Sequence, residues 1–186
     1  MLRLGTPHFD PDQAARRIRR ANPWISQSEA NSAAWHEGRR LLETAIRETL
    51  SFAFETTLGG RTITALLEAG LRSGMEVRVW YVGLASPELH IQRVRSRVAA
   101  GGHDIPDAKI RERYNRSRLN LIQLLPRLIE LQIFDNSNDA DPRQGTITEP
   151  RHILHVLRGR IESSCELSLT PEWAKPLVAA ALRSSE

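Results

Sequence analysis

The sequence has 186 residues, of which 40% are hydrophobic and 26% charged, and its formal net charge is +4. This length predicts a single domain with a sizeable core, and a charge this mild argues against nucleic acid as a partner. The sequence has no long apolar run and no signal peptide, and its only cysteine, Cys165, cannot form an internal disulfide, so we expect a cytoplasmic protein that does not bind membranes.

Most of the basic residues are arginine. Lys109 and Lys175 are the only lysines, which leaves 24 arginines among the 26 basic residues (26 − 2 = 24). Arginine recognises phosphate and carboxylate groups through paired N–H donors, so this composition is compatible with a phosphate ligand. The base composition of the source genome is the better explanation for most of these residues.

The first third of the chain predicts a short strand end followed by two helices. Asp10 and Pro11 are typical of a helix start, and this helix should stop near Asn22. Ser26 or Ser28 then begins a longer amphipathic helix that runs to about residue 49.

The stretch 51–61 is the part of the sequence that points most directly to a site. Its apolar start predicts a buried parallel strand over 51–56, and it ends in a carboxylate, two hydroxyls, a Gly-Gly turn and an arginine. Ligands of open α/β sheets lie beyond the carboxyl ends of the strands, so Glu55, Thr56 and Thr57 are expected to face a substrate. A strand end whose polar residues cap the next helix explains the pattern equally well.

The rest of the chain alternates between helix and strand signals. The predicted elements are a helix from Arg61 to Arg72 closed by Gly74, a strand over 77–84, a helix from Ser86-Pro87 to Gly101-Gly102, a helix over 107–129 bent at Pro126, a strand over 131–137, an edge strand over 153–161 and a closing helix from Pro171. This alternation predicts an α/β fold in which a parallel sheet has helices on both faces.

Seven blocks of residues follow one another in a fixed order along the chain. They are Phe9-Asp10-Pro11-Asp12-Gln13-Ala14-Ala15, Glu37-Gly38-Arg39, Ser51 to Arg61, Val82-Gly83-Leu84 with Ser86-Pro87-Glu88-Leu89, Arg97 to Pro106, Arg111 to Ser117, and Phe134-Asp135-Asn136-Ser137. In this order the blocks resemble the zeta-toxin-like P-loop kinases, including the branch often labelled predicted ABC-type ATPase. The resemblance covers roughly residues 8 to 137, with a weaker similarity at 171–176.

This resemblance implies a single three-layer, P-loop kinase-like domain over 1–186 that lacks the first P-loop strand. Its core would be 8–137, its lid about 97–118, and 138–186 would be a C-terminal extension. The implied activity is ATP-dependent phosphorylation of a hydroxyl on a small acceptor such as a UDP-amino sugar. A small antitoxin protein is an implied partner.

The resemblance also implies roles for residues on the acceptor side. The family's catalytic base is an Asp after its second strand, and Asp12 occupies the matching position, where it could take the proton of the attacking hydroxyl. Glu55 and Thr56 match the substrate-binding segment, with Thr57 and Arg61 close by. For Asp12, the alternative is that it only stabilises the N-terminus of its helix.

Three arginines match the cations that the family brings onto the triphosphate of ATP from a lid. They are Arg97, Arg113 and Arg116, and the last two are three apart on a predicted helix and so share a face. Gly101-Gly102 would be the hinge of the lid. A solvated basic face is the alternative, since Glu112 lies nearby.

One departure from the family's sequence pattern matters more for the expected function than the matches do. The family begins with a strand and a Gly-x-x-x-x-Gly-Lys-Ser/Thr loop that holds the phosphates and Mg²⁺, but this sequence has no such motif and no lysine before Lys109. The family's sheet order places that strand between the ones matched by 51–56 and 76–84. ATP and Mg²⁺ are therefore expected cofactors of a full-length family member, and their binding to this chain is doubtful.

Three explanations of this departure are open. We favour a recorded start that lies inside a longer reading frame, which sequencing upstream of Met1 would test. The gene could instead be a decayed remnant. The last alternative is a shortened protein that binds a sugar nucleotide or a partner without phosphorylating anything.

Overall fold

A computed structural model describes residues 8–99, 102, 104–138 and 149–184. The chain divides into two compact units, Met1–Met75 and Glu76–Glu186. Both combine helices with strands, so the predicted α/β class is confirmed. The first unit contains β1 (His8–Phe9), α1 (Pro11–Ala21), α2 (Gln27–Glu48), β2 (Ala53–Phe54) and α3 (Arg61–Arg72).

Side-chain caps define the helix starts of the first unit. The Asp10 carboxylate accepts hydrogen bonds from the backbone N–H groups of Asp12 at 2.8 Å and Gln13 at 3.1 Å. Ser26 and Glu29 form a reciprocal capping box at the start of α2. These contacts are local in sequence, and the helices predicted over 11–22 and from Ser26 to about 49 are both confirmed.

Small residues allow the elements of the first unit to pack closely. Ala14 and Ala15 of α1 are buried against Ala30 and Ala34 of α2, together with Phe9. Gly38 belongs to the same arrangement: a Cβ atom there would lie 2.5 Å from the Phe9 ring. β1 and β2 pair in parallel, with His8 opposite Ala53 and Phe9 opposite Phe54. The strand predicted over 51–56 is therefore present but only two residues long.

The second unit contains a four-stranded sheet. Its elements are β3 (Arg78–Gly83), α4 (Pro87–Ala99), α5 (Asp107–Leu124), a 3-10 turn (Leu125–Arg127), β4 (Glu130–Asp135), β5 (Arg151–Leu157), β6 (Arg160–Ser164), a second 3-10 turn (Leu167–Leu169) and α6 (Lys175–Ser184). The strand order is β3-β4-β5-β6. β3 and β4 are parallel as expected, whereas β4–β5 and β5–β6 are antiparallel, so the sheet is mixed rather than parallel throughout.

The prediction of one edge strand over 153–161 was wrong because the chain reverses inside that range. Arg158 and Gly159 both have positive φ, at 50° and 76°. Two such residues form the tight hairpin turn whose twist matches that of antiparallel strands. This turn separates β5 from β6 and accounts for their antiparallel pairing.

Two helix boundaries also differ from the prediction. The helix expected over 107–129 ends at Leu124 and continues as the 3-10 turn that contains Pro126. The closing helix begins at Lys175 rather than Pro171, because the Pro171 carbonyl first accepts a turn hydrogen bond from the Ala174 N–H at 2.9 Å.

The core of the second unit lies on one face of its sheet. Along β3 the side chains alternate: Trp80 and Val82 are exposed, whereas the Tyr81 hydroxyl hydrogen-bonds Ser117 of α5 at 2.8 Å. Gly83 is the last residue of β3, and because it has no side chain the Trp173 ring packs directly against its backbone. The largest fully buried side chains are those of Leu121, Leu124, Leu131, Ile133, Ile153, Leu154 and Leu177.

Glu130, at the start of β4, makes the stability of this unit depend on pH. Its carboxylate accepts a hydrogen bond from Gln132 at 2.9 Å and lies 3.1 Å from the His155 ring, and these contacts hold the pKa of Glu130 below its ordinary value of 4.5. A lowered pKa stabilises the fold at every pH above the ordinary value, and that stability is lost as the pH falls through the folded-state pKa.

We therefore expect Glu130→Gln to destabilise the protein at about pH 7, and the difference from the wild type to shrink towards about pH 3.5. Urea unfolding at the two pH values measures this. Glu162→Gln, at an exposed position of β6, is the control and should change stability little at either pH. A Glu130→Gln penalty that does not depend on pH would contradict the assignment.

Candidate functional site

The acceptor-side residues follow the ends of β1 and β2. Asp12 lies in the first turn of α1, one turn after β1 ends, and its side chain is exposed. Asp10, two residues earlier, is the N-cap of α1. Partial burial raises the pKa of Asp10, but the backbone N–H groups of Gln13 and Asp12 outweigh it and leave the pKa below its ordinary value of 3.8. The two carboxylates thus differ in their contacts: the Asp10 carboxylate caps the helix, whereas the Asp12 carboxylate is exposed to solvent.

The segment after β2 forms a tight turn. The Thr56 hydroxyl accepts a hydrogen bond from the Leu58 N–H at 3.1 Å, and Leu58 has a φ of 51° with its side chain buried. The buried Leu58 fixes the turn, so the exposed side chains of Glu55 and Thr57 project from a defined backbone. Arg61 follows at the first position of α3 and is also exposed.

The parallel pairing of β1 and β2 brings these residues to one edge of the first unit. The Glu55 N–H donates to the Phe9 carbonyl at 3.0 Å, so both strands end at the same level. Asp12 and the segment from Glu55 to Thr57 therefore leave the same, carboxyl edge of the strand pair. Within the described residues, the side chains of Asp12, Thr57 and Arg61 make no hydrogen bond or ion pair.

Sequence reasoning missed His8 as a neighbour of this edge. Its Nε2 atom lies 3.5 Å from the Glu55 carboxylate, and both side chains are about half exposed, at 48% and 65%. An exposed ion pair of this kind contributes little to stability. It does leave Glu55 with a cationic neighbour whenever the imidazole is protonated.

The predicted lid over about 97–118 covers the end of α4, the loop after it and most of α5 in the second unit. Ile91 and Val94 of α4 pack on Ile110 of α5 in a small apolar cluster. Two ion pairs join the helices, Arg95–Asp107 at 2.8 Å and Arg111–Glu88. Of the predicted Gly-Gly hinge, Gly101 lies outside the described residues, as does most of the loop between β4 and β5.

The three predicted lid arginines differ in their surroundings. Arg116 ion-pairs with Glu112 at 2.8 Å, as expected for residues four apart on a helix, so part of its charge is compensated. Arg97 and Arg113 are exposed and have no ion pair in the described part of the chain. Partial burial, together with the charges of Arg97 and Arg93, lowers the pKa of His90 below its ordinary value of 6.5.

Asp135, at the carboxyl end of β4, received no role from the sequence although it belongs to one of the matched blocks. Its carboxylate is 8% exposed and accepts hydrogen bonds from the Trp173 indole N–H at 3.1 Å and from the backbone N–H and hydroxyl of Ser137, the former at 3.2 Å. Arg151 lies 3.6 Å away. These partners make Asp135 a structural anchor for Trp173. An Asp directly after an apolar strand was the available signal.

The five acceptor-side residues belong to the first unit and the three lid arginines to the second. The first set offers an exposed carboxylate as base, hydroxyl groups as hydrogen-bond donors and an arginine for an anionic group. The second set offers exposed guanidinium groups for an anion. Both sets suit a phosphorylated ligand.

The residues present do not fit Mg²⁺-bound ATP by themselves. The 186 residues contain no phosphate-binding loop, and the described residues include no cluster of three His, Cys, Asp or Glu side chains that could hold a metal ion. None of the described helices of the chain has the length and apolar character needed to cross a membrane.

The comparisons with known proteins yield a relative without an assigned function. No protein-family model matches the sequence, and no solved structure matches it. An uncharacterized protein of Haemophilus influenzae is 30% identical over 106 residues, which are 57% of this chain and 73% of the relative. This identity over most of the relative's length shows common ancestry. The chain belongs to the same family as this uncharacterized protein of Haemophilus influenzae.

Proposed function

We propose that this chain carries the acceptor-binding and lid parts of a zeta-toxin-type phosphotransferase. In such a reaction, a hydroxyl of a small acceptor such as a UDP-amino sugar receives the phosphoryl group. Asp12 takes the proton of that hydroxyl, Glu55, Thr56 and Thr57 bind the acceptor, and Arg61 binds its anionic part.

The observation that carries this proposal is the parallel pairing of β1 with β2. It places Asp12 and the segment from Glu55 to Thr57 at one carboxyl edge, which is where α/β proteins bind their ligands. The two strands enter the pair from different parts of the sequence, so helix capping alone does not account for their common edge.

A second candidate is a non-catalytic module that binds a sugar nucleotide or a partner on the same fold. The lack of a Gly-x-x-x-x-Gly-Lys-Ser/Thr loop in the 186 residues favours it. In both cases the acceptor edge binds its ligand without ATP, so binding and phosphoryl transfer must be measured separately.

Calorimetric titration of the 186-residue protein with a UDP-amino sugar tests the acceptor edge. We expect saturable binding without ATP, and a loss of about ten-fold in affinity for Glu55→Gln or Arg61→Gln, because each removes a charge-assisted contact. Glu48→Gln is the control, since Glu48 ion-pairs with Arg47 on α2. No binding, or an equal loss in the control, would refute the acceptor assignment.

Phosphoryl transfer from labelled ATP separates the two candidates. If the reading frame continues upstream of Met1 with a phosphate loop, the longer protein should transfer phosphate to the acceptor. Asp12→Ala should then abolish transfer and leave ATP binding intact. Acceptor binding without transfer in that longer protein identifies the non-catalytic module.

A further inference from the structure

A second surface of the first unit has properties that the acceptor edge does not use. It consists of exposed residues at the end of α1 and in the loop before α2, and we name it the arginine–tryptophan surface. Its members are Arg16, Arg17, Arg19, Arg20 and Trp24.

The geometry of α1 concentrates these arginines on one side. Ala14, Ala15 and Ile18 of the helix pack into the core of the unit. With 3.6 residues per turn, Arg16 and Arg20 lie opposite this buried side, and Arg17 and Arg19 lie on either side of them. The four arginines thus form the exposed side of a helix whose other side is covered by the core of the unit.

The charges of this face are not neutralised locally. Among the described residues, none of its four arginines has a carboxylate oxygen within 4.0 Å. Arg19 donates instead to the side-chain oxygen of Gln27 at 2.9 Å, and Arg16 acts on Asp10 only at longer range. By contrast, Arg40 and Arg47 of α2 each have an ion pair, at 2.8 Å and 3.0 Å.

The positive charge of the first unit is concentrated in this surface. Residues 1–75 contain ten arginines, no lysine and eight acidic residues, a net charge of +2 (10 − 8 = +2). Without the four arginines of α1 the balance is −2 (6 − 8 = −2). The four arginines therefore account for the net positive charge of the unit, whose remaining residues are mildly acidic.

Trp24 lies in a loop that is stabilised by hydrogen bonds on both sides of it. Its side chain is 80% exposed. The Asn22 side chain donates to the Ile18 carbonyl at 3.0 Å, the Ile25 N–H donates to the Asn22 carbonyl at 3.2 Å, and Ser26 caps α2. Because the loop is ordered on both sides, the indole can enter a partner's apolar site with little further loss of conformational entropy.

We propose that the arginine–tryptophan surface binds an acidic segment of a partner protein, with the arginines pairing its carboxylates and Trp24 entering an apolar site beside them. Exposed tryptophan and arginine are the residue types that dominate the binding energy of protein interfaces. The arginine face extends over only about 6 Å of helix axis, at 1.5 Å per residue. Nucleic acid, which follows a longer basic track, fits this surface less well.

The test uses a synthetic amphipathic peptide in which Glu and Asp alternate with Leu and Met, labelled for fluorescence anisotropy. The 186-residue protein should bind it saturably. We expect Arg17→Gln combined with Arg20→Gln to weaken binding about ten-fold, and Trp24→Ser to weaken it about thirty-fold. The matched control combines Arg40→Gln with Arg47→Gln, which removes the same charge from paired arginines and should leave the affinity within about two-fold.

Three results would overturn the proposal. They are the absence of saturable binding, an equal loss in the matched control (a net-charge effect), and tighter binding of single-stranded DNA that is lost in the same variants (a nucleic-acid surface). All substituted residues of the surface are exposed, so thermal unfolding should be unchanged and a lost affinity is not a folding defect.

Discussion

Gly83→Ala is expected to destabilise the protein by about 3 kcal/mol, at the upper end of the usual cost of overpacking a core. A Cβ atom at Gly83 would lie 2.2–2.7 Å from three carbon atoms of the Trp173 ring. The ring cannot retreat, because it is 4% exposed and its indole N–H donates to Asp135. Urea unfolding followed by circular dichroism measures the loss.

Two further variants isolate the cause of this effect. Gly60→Ala adds the same methyl group where no atom lies within 4 Å, and should cost less than about 1 kcal/mol. Trp173→Leu vacates the space that the new methyl group needs, so its cost and that of Gly83→Ala should be far from additive. If the costs of Gly83→Ala and Trp173→Leu are additive, the contact with the Trp173 ring is not the reason that Gly83→Ala destabilises the protein.

Asp135→Ala should cost about 3 kcal/mol, because it leaves the indole N–H of Trp173 and the N–H of Ser137 without their acceptor. Asp135→Asn keeps an oxygen in place for both donors and should cost about 1 kcal/mol. The two variants differ mainly in whether an acceptor oxygen is present at position 135. The difference between their free energies of unfolding in urea therefore gives the contribution of that acceptor to stability.

A double variant tests whether Trp173 is the partner that matters. Trp173→Phe removes the buried N–H, so adding it to Asp135→Ala should cost less than the sum of the single substitutions. If Asp135→Ala and Asp135→Asn have the same small effect, the carboxylate does not anchor the indole.

The helices could be predicted because their signals lie within a few residues of one another. Asp10 with Pro11, and Ser26 with Glu29, define helix starts through contacts no more than three residues apart. The pairing of Arg116 with Glu112 is equally local, and the sequence already indicated it as an alternative to a ligand-binding role.

Strand pairing could be predicted only in part. The alternation of apolar runs indicated strands near Phe9, 51–56, 77–84 and 131–137, and the parallel pairs β1–β2 and β3–β4 agree with it. The hairpin of β5 and β6 depends on the positive φ of Arg158, which a residue with a Cβ atom adopts only when the surrounding structure favours it. No local signal in Leu-Arg-Gly-Arg excluded a continuous strand.

By itself the sequence determined the helix starts of the first unit, the position of Asp12 in the first helical turn after β1 and the lack of a phosphate loop, since each depends on residues adjacent in the chain. Only the tertiary structure decided that Glu55 leaves the same edge as Asp12, that Asp135 anchors Trp173, and that Trp24 faces solvent. The physical reason is the separation along the chain: Trp173 lies 38 residues from Asp135. Which distant residues meet is settled by the packing of whole elements, and local preferences do not specify it.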